Sequence, residues 1–155
     1  MLTVADIMTR EPYTLSPNDS LASARELMAA HHIRHIPIVS PQHTLLGLVS
    51  QRDVLAAADS CVLNPPGEPS HESYVALSAI MTSPVQTADE GASLRGAALH
   101  LHKNKLGCLP IIKGGKLTGI ITDADFVAIA INLMEQLEAA EPDEDDFAPE
   151  AYDLD

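Results

Sequence analysis

Residues 47–53 read GLVSQRD and residues 119–125 read GIITDAD, so one pattern of glycine, two apolar residues, a hydroxyl and a final aspartate occurs twice. Two other patterns precede it in each half of the chain. They are Asp-Ile-Met-Thr at 6–9 with Ala-Ile-Met-Thr at 79–82, and His-Ile-Pro-Ile-Val at 35–39 with Cys-Leu-Pro-Ile-Ile at 108–112. The copies lie 73 residues apart in these two patterns and 72 apart in the first. Three patterns in one order predict two copies of one structural unit.

The composition is that of an ordinary folded chain. Of its 155 residues 46% are apolar, but a copy of about fifty residues is too short to bury a sound core alone, so we expect the copies to pack on each other. No apolar run reaches the roughly 18 to 20 residues that cross a bilayer, and the N-terminus lacks a signal-peptide pattern. Two unrelated cysteines, Cys61 and Cys108, favour free thiols in a reducing cytoplasm.

Hydrophobic periodicity predicts a strand, helix, strand, turn, strand and helix in each copy. In the first copy these elements are 12–15, 21–32, 36–39, 41–43, 45–49 and 50–58. In the second copy they are 85–87, 93–103, 109–112, 113–116, 117–121 and 122–136. The Gly-Gly pair at 114–115 is typical of a tight hairpin turn.

Four regions follow from these elements. Repeat 1 spans 4–58 and repeat 2 spans 77–134, with a linker at 59–76 that is rich in Pro, Gly and Ser. Residues 135–155 carry ten carboxylates and no Lys or Arg, which predicts a disordered acidic tail and explains most of the net charge of −13. A basic protein partner for this tail is the alternative. Because there is no basic stripe and only 3% of residues are aromatic, we do not expect nucleic-acid binding.

The order β-α-β-β-α, the Ile-Met-Thr opening, the apolar-Pro-apolar strand and the Gly-to-Asp ending together resemble the CBS domain. Two copies resemble a CBS pair, or Bateman module, and the chain is broadly similar to the small CBS-pair proteins of acetoin utilisation. The resemblance implies an α/β (α+β) fold in which the two repeats pack as a pseudo-twofold pair. It also implies a regulatory sensor rather than an enzyme, and a homodimer. The implied ligand is an adenosine derivative (AMP, ADP, ATP or S-adenosylmethionine) bound between the repeats, with no required cofactor.

The resemblance also implies which residues touch such a ligand. Ser50 and Asp53 in repeat 1, and Thr122 and Asp125 in repeat 2, would hydrogen-bond the ribose. The remaining candidates would meet the adenine through the central strands and the extended segments before them; they are Ile36, Pro37, Leu109, Pro110, Tyr13, Thr14 and Val85.

Elementary chemistry supports these roles but leaves an alternative open. A carboxylate accepts charge-assisted hydrogen bonds from both hydroxyls of a diol, and a helix N-terminus attracts phosphate. A proline within a strand favours a sheet edge or the wall of a cleft. However, Ser50-x-x-Asp53 and Thr122-x-x-Asp125 also resemble capping boxes, and a cap contributes about 1 kcal/mol without any ligand. The same residues can do both.

The two copies differ in their charged residues. Arg34 precedes the proline of repeat 1, where repeat 2 has Gly107, so Arg34 is the best phosphate candidate; a surface salt bridge is the alternative. Arg52, Lys103 and Lys105 are weaker candidates. Asp123 replaces Gln51 and would repel phosphate, which favours AMP or S-adenosylmethionine at the second site.

Three other functions compete with nucleotide sensing. His31, His32 and His35 with His100 and His102 could hold zinc, but histidines are also common at helix C-termini, and we predict no metal site. Catalytic motifs such as GxSxG, a P-loop or HExxH are absent from the sequence. A ligand-free dimerisation adaptor would tolerate alanine at the ribose candidates. In the favoured mechanism the ligand stabilises one arrangement of the repeats, and an unknown protein partner, not a membrane or nucleic acid, responds to it.

Overall fold

The computed structural model describes residues 1–59 and 71–140. The chain divides into two compact units, residues 1–123 and the segment that begins at 124. The helices are α1 (Val4–Ile7), α2 (Leu21–His31), α3 (Gln51–Asp59), α4 (Leu94–Asn104) and α5 (Asp123–Ala140). The strands are β1 (Thr9–Arg10), β2 (His35–Val39), β3 (Leu45–Ser50), β4 (Ala88–Asp89), β5 (Cys108–Lys113) and β6 (Lys116–Thr122). The predicted mixed α+β fold with two repeats is confirmed.

The two repeats form equivalent sheets. In repeat 2 the strand order is β1-β6-β5-β4, with β4 parallel to β5 and the other pairs antiparallel. In repeat 1, β2 pairs antiparallel with β3. Single bridges extend this pair on both sides, from Leu15 to Ile38 in parallel and from Thr82 to Leu48 in antiparallel orientation. Each sheet therefore consists of a central hairpin flanked by one short segment at each edge.

The outermost segments are exchanged between the repeats. β1 belongs to repeat 1 in sequence but pairs with β6 of repeat 2, and α1 packs against α4 and β6. Conversely, Thr82 from the opening of repeat 2 pairs with β3 of repeat 1. The 3₁₀ turn Leu77–Ala79 is also attached to repeat 1, because the Leu77 N–H donates to the carbonyl of Asp19 at 2.9 Å. Leu77 is fully buried in the core of repeat 1. In sequence each opening belongs to the copy that follows it, whereas in the structure each opening pairs with the other copy.

Matching caps define the first helix of each repeat. Ser20 and Ser93 accept hydrogen bonds from the backbone N–H three residues later, at 3.1 and 2.9 Å, which satisfies one unpaired donor of each helix start. Both helices end at a residue in the left-handed conformation, His32 (φ 54°) and Lys105 (φ 53°). Each helix buries one apolar stripe, consisting of Leu21, Ala24 and Met28 in α2 and of Leu94, Ala97 and Leu101 in α4.

Three details of the predicted elements were wrong. Residues 12–14 and 85–87 form no strand, because pairing begins only where the chain reaches β2 at Leu15 and β5 at Ala88. Helix α5 continues to Ala140, so residues 135–140 are helical rather than part of a disordered tail; Glu, Gln, Leu and Ala are good helix formers despite the charge.

The predicted hairpin turn is present, with positive φ at Gly114 and Gly115. The rest of the predicted tail, 141–155, and most of the linker lie outside the described residues.

No helix within 1–59 and 71–140 combines the length and the apolar character needed to cross a bilayer.

Candidate functional site

A cleft of about 410 Å³ lies between the two repeats. It is open to solvent at the end of the hairpins where β2 and β5 begin. Repeat 1 contributes Arg34, His35, Ser50, Gln51 and Arg52, and repeat 2 contributes Lys105, Leu106, Gly107 and Asp123. Of the residues predicted to touch ligand, Ser50 and Arg34 line this cleft, as do two of the weaker phosphate candidates, Arg52 and Lys105.

Equivalent backbone hydrogen bonds form the two walls of the cleft. The Gln51 N–H donates to the carbonyl of Arg34 at 2.8 Å, and the Asp123 N–H donates to the carbonyl of Gly107 at 3.0 Å. Each bond joins the residue after a return strand to the residue before a central strand. Gln51 and Asp123 are thereby held next to Arg34 and Gly107, respectively.

Ser50 and Asp53 form the predicted capping box at the start of α3. The Ser50 N–H donates to Asp53 Oδ2 at 2.9 Å, and the Asp53 N–H donates to Ser50 Oγ at 3.2 Å. Both residues remain half-buried rather than enclosed. A carboxylate offers about four lone-pair positions, so the cap leaves Asp53 able to accept further hydrogen bonds. Ribose binding by this pair stays a prediction.

The equivalent pair in repeat 2 lies at the junction of two elements. Thr122 is the last residue of β6, opposite Cys108 in the ladder, and Asp125 lies in the first turn of α5. Both residues are half-buried. Their predicted contact with a ribose likewise stays a prediction.

An ion pair crosses the cleft from one repeat to the other. Arg34 Nη2 lies 3.7 Å from Asp123 Oδ1, and the two side chains are 59% and 55% exposed. An exposed pair of this kind contributes about 0–1 kcal/mol, so it is readily exchanged for another contact. The salt bridge that the sequence offered as the alternative role of Arg34 is therefore present, and its partner is the carboxylate expected to repel phosphate.

His35 is a cleft residue that no sequence pattern had marked as a candidate for this ligand. A Cβ added to Gly107 would lie 2.9 Å from His35 Nε2, so the imidazole occupies the space that the glycine leaves open. Burial lowers the pKa of His35; Arg34 acts in the same direction, while Asp123 and Asp53 oppose it. The imidazole is therefore neutral at pH 7. Gly107, directly before β5, was the sequence signal that a bulky group approaches from the other repeat.

The predicted adenine contacts lie elsewhere. Ile36, Pro37, Leu109 and Pro110 are almost completely buried and do not line the cleft. The Pro37 carbonyl accepts a hydrogen bond from the Leu15 N–H at 3.2 Å. These residues are buried parts of β2 and β5, and their role in adenine binding is still a prediction.

The extended segments place their candidates outside the cleft as well. Tyr13 stacks on His31 with ring centroids 3.8 Å apart and an interplanar angle of 16°. Thr14, its neighbour, is half-buried. Val85 lines a separate cavity of about 240 Å³ together with Leu45 and Ile112. The candidate residues therefore lie on several surfaces of the described structure, and their contact with a ligand stays a prediction.

The histidines do not form a metal cluster in the described ranges 1–59 and 71–140, where no three His, Cys, Asp or Glu side chains converge. His31 is stacked on Tyr13, and His100 Nε2 lies 2.6 Å from Gln86 Oε1. These contacts give two of the five candidate histidines other partners.

The model of the CBS domain family matches residues 4–60 and 77–132. The chain belongs to the CBS-domain family. A protein assigned to acetoin utilization, AcuB from Vibrio cholerae, is 43% identical, with a TM-score of 0.79 over 89% of this chain and 98% of its own. The predicted similarity to such proteins is thereby confirmed.

Two solved CBS relatives contain adenosine compounds. CBSX2 of Arabidopsis thaliana, in complex with AMP, is 27% identical, with a TM-score of 0.70 over 86% of this chain and 99% of its own. The CBS pair of MJ0100, in complex with 5′-methylthioadenosine and S-adenosyl-L-methionine, is 25% identical, with a TM-score of 0.69 over 83% of this chain and 98% of its own.

Among curated relatives, inosine-5′-monophosphate dehydrogenase of Mycobacterium bovis is 32% identical over 121 residues. The match includes 77% of this chain but 21% of that enzyme, so the chain spans about a fifth of the length of this relative.

Proposed function

We propose that this protein is a regulatory sensor that binds an adenosine-type ligand in the clefts between its CBS repeats and is not itself an enzyme. The observation that carries the proposal is the cleft lined by both repeats, in a chain that is 27% identical to a CBS pair in complex with AMP. The ligand class includes AMP, ADP, ATP and S-adenosylmethionine. A cytoplasmic location remains the prediction from its cysteines.

The chemistry at the edge of the cleft supports this ligand class. Ser50, the last residue of β3, presents a hydroxyl, and Asp53, in the first turn of α3, presents a carboxylate; both groups can hydrogen-bond a ribose diol. Arg34 and Lys105 offer cationic donors from opposite sides. A ligand that contacts both sides favours one arrangement of the repeats by its differential affinity for that arrangement, and an unknown protein partner would respond to the change.

The test is thermal unfolding of the full chain with AMP, ADP, ATP and S-adenosylmethionine, together with Asp53→Ala and Asp125→Ala. Ligand at 100 times its dissociation constant stabilises by about 2.7 kcal/mol, which corresponds to several degrees. We expect one of the four compounds to give such a shift and at least one variant to reduce it.

Asp19→Ala is the matched control. Asp19 Oδ2 accepts a hydrogen bond from the Ser16 N–H at 2.7 Å, as Asp53 does from the Ser50 N–H, but Ser50 lines the cleft and Ser16 does not. It should lower stability without changing the ligand shift. Absence of a shift with every compound would contradict the proposal and favour the ligand-free adaptor.

We also propose that the protein is a homodimer in which α5 contacts a second copy. No residue of α5 is buried, although the helix carries five large exposed apolar side chains, Val127, Ile131, Leu133, Met134 and Leu137. Sedimentation equilibrium should give twice the chain mass, and Ile131→Glu should shift the protein towards the monomer. A monomer at micromolar concentration would contradict this assembly.

A further inference from the structure

We propose that Asp123 competes with the phosphates of the ligand for Arg34 in the cleft between the repeats, and that it holds Arg34 until a phosphate displaces it. The inference rests on the proposed function and narrows its ligand class. It assigns phosphorylated adenosine compounds to the cleft in preference to S-adenosylmethionine.

The charges that line the cleft favour an anion. Arg34 and Arg52 enter from repeat 1 and Lys105 from repeat 2, against the single carboxylate of Asp123 among the lining residues. His35 adds no charge at pH 7 because its pKa is lowered by burial. The lining thus carries two net positive charges, which attract phosphate and disfavour S-adenosylmethionine with its sulfonium and ammonium groups.

The backbone that carries two of these cations is hydrogen-bonded on opposite sides of the cleft. Arg34 lies directly before β2, and its carbonyl is bound by the Gln51 N–H. Lys105 ends α4 in the left-handed conformation, and the following residue, Leu106, donates to the carbonyl of Leu101 at 3.0 Å. Both side chains therefore start from hydrogen-bonded backbone, one on each side of the cleft.

The ion pair between Arg34 and Asp123 is suited to exchange. Its 3.7 Å separation is longer than the 2.7–2.9 Å of a strong charge-assisted hydrogen bond, and both groups are more than half exposed. A phosphate oxygen can approach the guanidinium more closely and in bidentate fashion. The released Asp123 carboxylate remains at the first residue of α5, where the positive end of the helix dipole stabilises it.

The competing ion pair can form on only one of the two walls of the cleft. Gln51 and Gly107 occupy the positions equivalent to Asp123 and Arg34, so the reciprocal ion pair cannot form. A phosphate must therefore compete with a carboxylate at Arg34 and not at the opposite wall. Asp123 acts through Arg34, which distinguishes this proposal from simple repulsion of the ligand.

The experiment is isothermal titration calorimetry of the full chain, at fixed salt, with sodium tripolyphosphate, ATP, S-adenosylmethionine and adenosine. We expect Arg34→Gln to weaken tripolyphosphate and ATP by about tenfold and to leave adenosine unchanged. Asp123→Asn should tighten the two phosphates by about twofold to fivefold, and ATP should bind more tightly than S-adenosylmethionine. Arg95→Gln is the control, because it makes the same charge change on the exposed start of α4. It should change neither the affinity for tripolyphosphate nor the affinity for ATP.

The double variant Arg34→Gln/Asp123→Asn decides the mechanism. If Asp123 competes for Arg34, the gain from Asp123→Asn disappears once Arg34 is absent; if it persists, Asp123 merely repels phosphate and the proposal is overturned. Adenosine binding with no effect of either substitution on ATP would overturn the anion site while the proposed function survives. Binding of tripolyphosphate without any adenosine compound would support the anion site and refute the proposed function, and binding of none would refute both.

Discussion

The two repeats share a backbone but differ in the chemistry of their cleft walls. Both contain a helix with a left-handed end, a hairpin, and a hydrogen bond from the start of the next helix to the residue before the central strand. At equivalent positions, however, Arg34 replaces Gly107, His35 replaces Cys108 and Gln51 replaces Asp123. Neither wall is complete in itself, because Arg34 of one wall meets Asp123 of the other and His35 fills the space beside Gly107.

The shared features are those that steric fit requires. A Cβ on Gly47 would lie 2.5 Å from Met81 Sδ, and a Cβ on Gly119 would lie 2.5 Å from Met8 Sδ. The glycine of each return strand thus admits the methionine of the other repeat's opening. The side chains of Arg34 and Asp123 in the cleft are more than half exposed, so they can differ from their counterparts while the backbone remains the same.

The largest expected effect comes from truncating a side chain of one repeat that is buried in the core of the other repeat. Leu77 is fully buried in the core of repeat 1, beside Leu21 and Ile38. Leu77→Ala should lower the free energy of unfolding by about 2–5 kcal/mol, because it leaves a cavity in a core that belongs to the other repeat. Urea unfolding followed by circular dichroism measures this loss.

Val4 is the reciprocal case, and Leu99 is the control. Val4 is fully buried against repeat 2, so Val4→Ala should also destabilise, by less because a smaller side chain is removed. Leu99 is 52% exposed on α4, and Leu99→Ala should change stability by no more than about 0.5 kcal/mol. If Leu77→Ala were equally mild, the exchange of openings would not hold in solution.

A smaller effect should follow from closing the space for the exchanged methionines. Gly47→Ala forces contact with Met81 and with the Thr82 carbonyl, 3.1 Å from the new Cβ, and should cost about 1–3 kcal/mol. Gly119→Ala should behave alike towards Met8. Chemical denaturation of both variants tests whether the repeats are sterically equivalent.

The matched control is Gly91→Ala, whose Cβ would meet its nearest atom, Asp89 Oδ1, at an ordinary 3.4 Å. In a Met81→Ala background the cost of Gly47→Ala should fall, because the flexible sulfur is gone while the carbonyl remains. An unchanged cost would show that the methionine is not what the glycine accommodates.

The sequence predicted the elements with strong periodicity and missed those whose signal is too short. α2, α4 and both hairpins follow from apolar spacing, caps and the Gly-Gly turn. β1 and β4 contain two residues each, which is too few for any alternation to identify. The exchanged openings could not be predicted because both copies have the same pattern there, and a pattern that fits either repeat does not determine which one it packs against.

The part of the candidate site that coincides with local structure could be predicted from the sequence. The capping box of Ser50 and Asp53 is such a part, because it lies within four residues of sequence. Only the packing of the two repeats brings together His35, Lys105 and Asp123, and no local sequence pattern predicts that they line one cleft. The sequence showed that Gly107 lacks a side chain where repeat 1 has Arg34, but it did not show that the His35 imidazole fills that space.

The smallest expected effect concerns the pH dependence of stability, and it distinguishes the repeats at His35 and Cys108. Burial raises the pKa of the Cys108 thiol to about 12, so this residue does not titrate near neutrality. Burial lowers the pKa of His35 below its usual 6.5, with Arg34 assisting and Asp123 and Asp53 opposing. Between the lowered pKa and 6.5 the unfolded chain binds more protons than the folded chain. The contribution of neutral His35 to stability is therefore complete above pH 6.5 and is lost as the pH decreases below it.

Thermal unfolding from pH 7.5 to 5 should therefore show a shallower loss of stability in His35→Gln than in the wild type, whereas His102→Gln, on the exposed end of α4, should keep the wild-type slope. Parallel slopes in all three proteins would mean that His35 is not buried against Gly107 in solution, and that the cleft is more open than its two walls allow.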